Sequence, residues 1–217
     1  MKKKLMNVFG TVIITGALLA GCSQKETNTN TDEAVEEIPQ DQVQQQSTEK
    51  KTVISKTDIN QTFDVDPFKV KIESISLVNV KNVSEETMSN LVWNGIEGVK
   101  EGQKEFNYMD IKYHVENTSD ETFIFTGLHE VAFAVDGKQE QIRIYHDNQD
   151  FILDDEDNDG GEYLGGVNKN GEVGVVVKSN PKDIKHIRMI IGHSMQEVAE
   201  NEYDGGADEQ TVEFDLK

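Results

Sequence analysis

The run Asp155-Glu156-Asp157-Asn158-Asp159-Gly160 places a carboxylate at every second position and ends in glycine. This is how a calcium loop opens. Asp155, Asp157 and Asp159 converge on one hard cation, the glycine permits a sharp turn, and the carbonyl of Gly161 follows inward. The twelfth position is Gly166, where a bidentate Glu belongs. Glu162 is the substitute ligand, approaching from a different direction. The competing reading is a solvated acidic turn in a chain rich in Asp and Glu. Ca2+ is the only cofactor that these residue patterns raise.

Other candidate chemistry is thinner. Gly192-His193-Ser194-Met195-Gln196 is one glycine short of a nucleophile elbow and lacks the strand-turn-helix frame that exposes the serine. Ser194 followed by Glu197 is instead a capping-box pattern, which predicts a short helix over 194–200. The histidines at 114, 129, 146, 186 and 193 include no H-E-x-x-H or H-x-H pair. Surface positions account for His114 and His186. No residue is assigned a catalytic role, and the chain is read as non-enzymatic. Trp93, beside Val92 and Ile96, is expected to pack against the core.

The single cysteine carries a different chemistry. Lys2, Lys3 and Lys4 precede an apolar stretch from Leu5 to Leu19, which leads through Ala20-Gly21 to Cys22. The stretch is shorter than the roughly 20 residues of a spanning helix. It has the layout of a secretory signal. Its end, Leu19-Ala20-Gly21-Cys22, resembles the lipobox of bacterial lipoproteins. That resemblance implies removal of residues 1–21, lipidation of the Cys22 thiol, and a protein held on the extracytoplasmic face of the cell membrane. With one cysteine, a disulfide within the chain is excluded.

Charge narrows the partners. Lys and Arg number 21 against 41 Asp and Glu, a formal charge of −20. Nucleic acid needs a basic footprint that such a chain lacks, and electrostatic docking on anionic lipid is equally disfavoured. The expected partners are the membrane, through the lipid anchor, and an envelope protein or cell-wall component.

The elements that must position any site begin after a tether. Residues 22–51 comprise Cys22 and a polar segment rich in Gln, Asn, Thr, Ser and Glu, with no aromatic residue. Such a segment buries too little surface to offset the entropy of ordering, so a disordered tether is expected. Fully extended, it reaches about 100 Å.

Residues 52–217 read as one β-domain. Phe68, Val70 and Ile72 alternate, and the phase then shifts to Ile75 and Leu77, which predicts a bulge near Glu73-Ser74. Met109, Ile111, Tyr113 and Val115 alternate, and Asn117-Thr118-Ser119-Asp120 reads as a turn. Strands follow around Phe123, Val131, Ile142, Val173, Ile187 and Val212, with Asp136-Gly137 as a hairpin signal. A short helix is expected from Ser84, with Met88, Leu91 and Val92 on one side. Eight or nine short strands without a long helical repeat between them predict an all-β antiparallel sandwich with one or two short helices.

The order of Val115-Glu116-Asn117-Thr118-Ser119-Asp120-Glu121, Asp136-Gly137, Gly174-Val175-Val176-Val177 and Ile187-Arg188-Met189-Ile190-Ile191 resembles a known family. It looks like the immunoglobulin-like, telokin-like domain of unknown function common in lipoproteins of Gram-positive bacteria. The resemblance covers roughly residues 54–217. It implies an immunoglobulin-like sandwich and supplies no catalytic residues. The expected function is a membrane-anchored binding or interaction module. The alternative is a calcium-stabilised structural protein of the envelope, using the acidic loop 154–162.

Overall fold

The computed structural model describes residues 49–151, 161–199 and 202–217. They form an antiparallel all-β sandwich with little helix, as the strand pattern predicts. The first two strands, β1 (Lys50–Val65) and β2 (Phe68–Lys81), make a long hairpin around Asp66-Pro67, whose peptide bond is cis. After helix α1 (Glu85–Trp93) come β3 (Glu105–Asn117), β4 (Phe123–Phe125), β5 (Leu128–Val135) and β6 (Lys138–Arg143). A single turn, α2 (Ile144–Asp147), precedes β7 (Asp150–Phe151). The chain continues through β8 (Gly161–Tyr163), β9 (Asn168–Val177), a 3₁₀ turn at Pro181–Asp183, β10 (His186–Ile191), β11 (Ser194–Ala199), β12 (Glu202–Asp204) and β13 (Gln210–Asp215).

Three sheets result, ordered β1-β2-β3-β9-β7, β13-β10-β5-β6 and β12-β11-β4-β8. The five-stranded sheet turns Ile72, Leu77, Ile111 and Val175 inward. The other two sheets cover that face with Val131, Phe133, Met189, Phe125 and Tyr163. Each large apolar side chain so buried contributes about 1.5–3 kcal/mol. The predicted bulge is present: the β2–β3 register shifts between Ile72 and Ser74, which lets Ile72 and Ile75 face the same core across an odd spacing. Asp136 and Gly137, both at positive φ, turn β5 into β6 as expected.

Asn117 shows why its turn holds. It is fully buried; its amide donates to Glu121 O at 2.8 Å and Tyr163 O at 3.1 Å, and its Oδ1 accepts from Ser119 N at 3.0 Å. One side chain thus builds the turn and ties it to β8. The glycine at 165 is obligatory there, because a Cβ would lie 2.4 Å from the Asp120 backbone.

Three expectations need correction. The capping-box pattern at Ser194 and Glu197 does not start a helix; residues 194–199 form β11, paired with β4 and β12. Ser194 Oγ donates instead to Asp66 O and accepts from Ala207 N at 2.8 Å. A segment this short does not nucleate a helix without a buried apolar face, whereas ladder bonds on both edges satisfy its backbone. Trp93 is 88% exposed rather than packed on the core. Met88, Leu91 and Val92 supply the inward side of α1, and Trp93 follows Val92 round to the solvent side. The tether was expected to run to Lys51, but β1 already takes in Lys50 and Lys51. Glu49 accepts bonds from Ser84 N and Thr87 Oγ1, both at 2.9 Å, beside the Ser84 N-cap of α1.

Candidate functional site

The chain passes from one four-stranded sheet to another at Thr126-Gly127, between β4 and β5. Gly127 has φ +81°, a conformation that favours glycine. Where the two sheets part over the five-stranded sheet, a cavity of about 350 Å3 remains. Its walls include Tyr113, Phe125, Ile144, Val173 and Met195. Tyr113 lies across its cross-strand partner Gly171, where a Cβ would approach the ring carbon Cζ to 2.3 Å. The missing side chain at Gly171 is what lets the ring lie there.

The polar lining comes from Thr126 and the segment around α2. Tyr145, Asn148 and Asp150 all line the cavity. Asn148 closes α2 in the left-handed conformation, at φ +49°, which turns the chain sharply into β7. Asp150 faces the same side as its cross-strand partner Val175, toward the space between the sheets, because Phe151 packs on the opposite face. Among the described residues, the Tyr145 hydroxyl, the Asn148 side-chain amide and the Asp150 carboxylate have no hydrogen-bond or ion-pair partner. Asp150 is the one charged residue among the described lining residues.

A histidine cluster adjoins this lining. The His129 ring stacks on Tyr145 with centroids 4.5 Å apart and planes at 22°. His193 meets it edge-on at 5.4 Å, and His146 lies 6.2 Å away. His129 is 5% exposed; its Nδ1 is 3.1 Å from Glu209 Oε2 and its Nε2 2.8 Å from Thr126 Oγ1. Burial holds the His129 pKa below the usual imidazole range, helped by the nearby His193 and His146 rings and opposed by the Glu209 carboxylate. In the neutral ring, the carboxylate selects the Nδ1–H tautomer, leaving Nε2 to accept. The Thr126 hydroxyl, also 2.9 Å from His193 O, then has two acceptors for one proton. Among the described residues, no three His, Cys, Asp or Glu side chains form a metal-holding group.

The outer face of the five-stranded sheet carries another perturbed group. Asp110 sits on β3 between Ser76 of β2 and Gly174 of β9, 9% exposed, and its Oδ1 has no hydrogen-bond partner. Burial, and then the charge of Glu172, push its pKa up to about 6, while Lys112 pulls it down.

Cys22, Asp155, Asp157 and Asp159 lie outside the described residues. Gly161 and Glu162 are the first two residues of β8, where the exposed Glu162 pairs with Ile124. Of the histidines, only His129, His146 and His193 come together. His114 and His186 stand apart, bound to Asn170 and Asp215. Sequence reading missed Tyr145, Asn148 and Asp150, because four helical residues between two strands carry no periodic signal. The glycine between Phe125 and Leu128 was the one readable sign that the chain changes sheets there.

No family model matches this sequence, and no curated protein matches it. Among solved structures, the fold is similar to that of a functionally unknown protein from Listeria monocytogenes EGD-e, at 10% identity and a TM-score of 0.47, covering 77% of this chain and 88% of that one. It is also similar to the yjhA protein from Bacillus subtilis, at 11% identity and a TM-score of 0.37, covering 62% of this chain and 81% of that one.

Proposed function

We propose that this protein is an extracytoplasmic lipoprotein, held to the membrane through a lipid on Cys22, whose telokin-like, immunoglobulin-like domain is a non-catalytic binding module. The observation that carries the binding reading is the cavity between the sheets. Its volume of about 350 Å3 falls within the range of small-molecule sites, its walls are mostly apolar, and Tyr145, Asn148 and Asp150 add a few polar groups to the lining. The Ser194 hydroxyl gives no support to hydrolysis: it donates its proton to the Asp66 carbonyl and accepts from Ala207 N, whereas a nucleophilic serine would donate to a base. The Asn117 turn and the Asp136-Gly137 hairpin support the family resemblance as elements of the fold, and a fold by itself assigns no ligand.

Two experiments test the two halves of the proposal. Fatty-acid labelling should be lost in Cys22→Ser, because a serine hydroxyl does not replace the thiolate nucleophile. Continued labelling of that variant would end the anchor reading. Screening small ligands against the full chain by thermal shift should find compounds that raise the melting temperature in proportion to occupancy. Substituting Val173→Trp should then fill the cavity and remove that response while the unliganded protein stays folded.

A further inference from the structure

The chemistry of the cavity lining narrows its ligand. We infer that it takes a ligand with an apolar body and a single cationic amine head, seated with the amine against Asp150; this rests on the binding-module reading above. The walls supplied by Phe125, Ile144, Val173 and Met195 match an apolar body. Among the described lining residues, the one charge is negative and carries no ion-pair partner.

Three classes of ligand can be compared on these terms. An anionic ligand would be brought out of water beside Asp150, with no described cation in the lining to pair with it. A neutral apolar ligand would cover the Asp150 carboxylate without replacing the water hydrogen bonds it loses, at a cost of about 1–3 kcal/mol. An amine replaces those bonds with a charge-assisted one. Tyr145, also in the lining, adds an aromatic ring, a favourable neighbour for a cation. His129, stacked on that ring, is kept neutral by its burial and so sets no opposing charge beside the site at neutral pH. The chain's formal charge of −20 also draws cations toward the surface, but that field does not distinguish one site from another.

The experiment compares three probes of one shape on the full-length protein: 2-phenylethylamine, 2-phenylethanol and 3-phenylpropionate. Binding is followed by calorimetry and by the NMR resonance of the Met195 methyl group, which lines the cavity. The amine should shift the Met195 resonance and bind about ten- to a hundredfold more tightly than the alcohol, the range of a charge-assisted hydrogen bond. The propionate should bind weakest. Asp150→Asn should abolish the preference for amine over alcohol while leaving the Met195 resonance of the unliganded variant in place, which shows that it folds. If the alcohol or the propionate binds as tightly as the amine, or if Asp150→Asn keeps the preference, the amine assignment falls and the binding module stands. If none of the three moves Met195, both fall.

Discussion

The five-stranded sheet buries apolar side chains on both faces, yet under different covers and with different results. On the outer face, α1 and the segment after it lay Met88, Leu91, Ile96 and Val99 over Val78, Val80, Phe106, Tyr108 and Val176. On the inner face, two separate four-stranded sheets share the work, and a cavity remains where the chain crosses between them. A helix offers side chains at i, i+3 and i+4 that settle into a sheet as one unit. Two sheets that part over a third cannot both follow its twist at their junction. The outer cluster is therefore a solved packing problem, and the inner junction is a place where space and unpartnered polar groups coexist.

The sharpest test of that contrast is to remove one methionine from each. Met88, 1% exposed beneath α1, should cost about 2–5 kcal/mol when changed to Ala, because the tight cluster cannot collapse around the hole. Met195, half-buried against existing empty space, should cost only about 1 kcal/mol as Met195→Ala. Trp93→Ala, on the solvent side of the same helix as Met88, should stay within about 0.5 kcal/mol. Urea unfolding of the three variants decides the ranking. Equal losses at 88 and 195 would mean that the two covers are packed alike.

The two regions should also titrate in opposite senses. Asp110 has a folded pKa of about 6 against 3.8 for a free carboxyl, so the fold favours its neutral form. Its contribution is present at low pH and is lost as pH rises through about 6. Asp110→Asn should therefore raise stability at pH 7 by about 1–3 kcal/mol and flatten the pH dependence between 4 and 6. A variant less stable than the parent at pH 7 would show that the ionised carboxylate has a favourable partner.

His129 provides the smaller effect, with the reverse slope. Its folded pKa lies below the free value of 6.5, so the unfolded chain takes up the proton first as the solution is acidified. The stability it contributes is present above about 6.5 and is lost as pH falls toward the folded value, by less than about 1.4 kcal/mol for each pH unit traversed. Urea midpoints measured from pH 7.5 to 5 should show that acid limb, and His129→Gln should flatten it. An NMR titration of the His129 ring with a midpoint above 6.5 would overturn the assignment.

The strands most easily read from the sequence are those with one wet face and one dry one. Met109, Ile111, Tyr113 and Val115 alternate because they face the core while Lys112, His114 and Glu116, in the second half of β3, face out. The displaced phase at Glu73-Ser74 and the Asp136-Gly137 turn were equally legible, since each is a local rule about backbone geometry. Strand β1 was not. It lies on a sheet edge, 16 residues long, and most of its side chains reach solvent, so its polar sequence runs on from the tether without a break in composition. The Ser194–Glu197 pattern misled for a related reason: capping residues state what a helix would use, and the hydroxyl was taken by Asp66 and Ala207, which are distant in sequence.

Local sequence therefore determined the all-β character, the first helix, the Asp136-Gly137 hairpin and the acidic balance, because these depend on neighbours within a few residues. The site depended on contacts that no local pattern encodes. His129, His146 and His193 meet only because α2 and the start of β5 are brought beside the segment before β11. Asp150 faces a cavity only because β7 pairs with β9 in the register that sets Asp150 opposite Val175. Slipping that register by one residue would turn Asp150 outward and Phe151 in, since strand side chains alternate with a period of two. The cavity itself belongs to no single element: it is the space left where two sheets part over a third, and only the assembled fold has it.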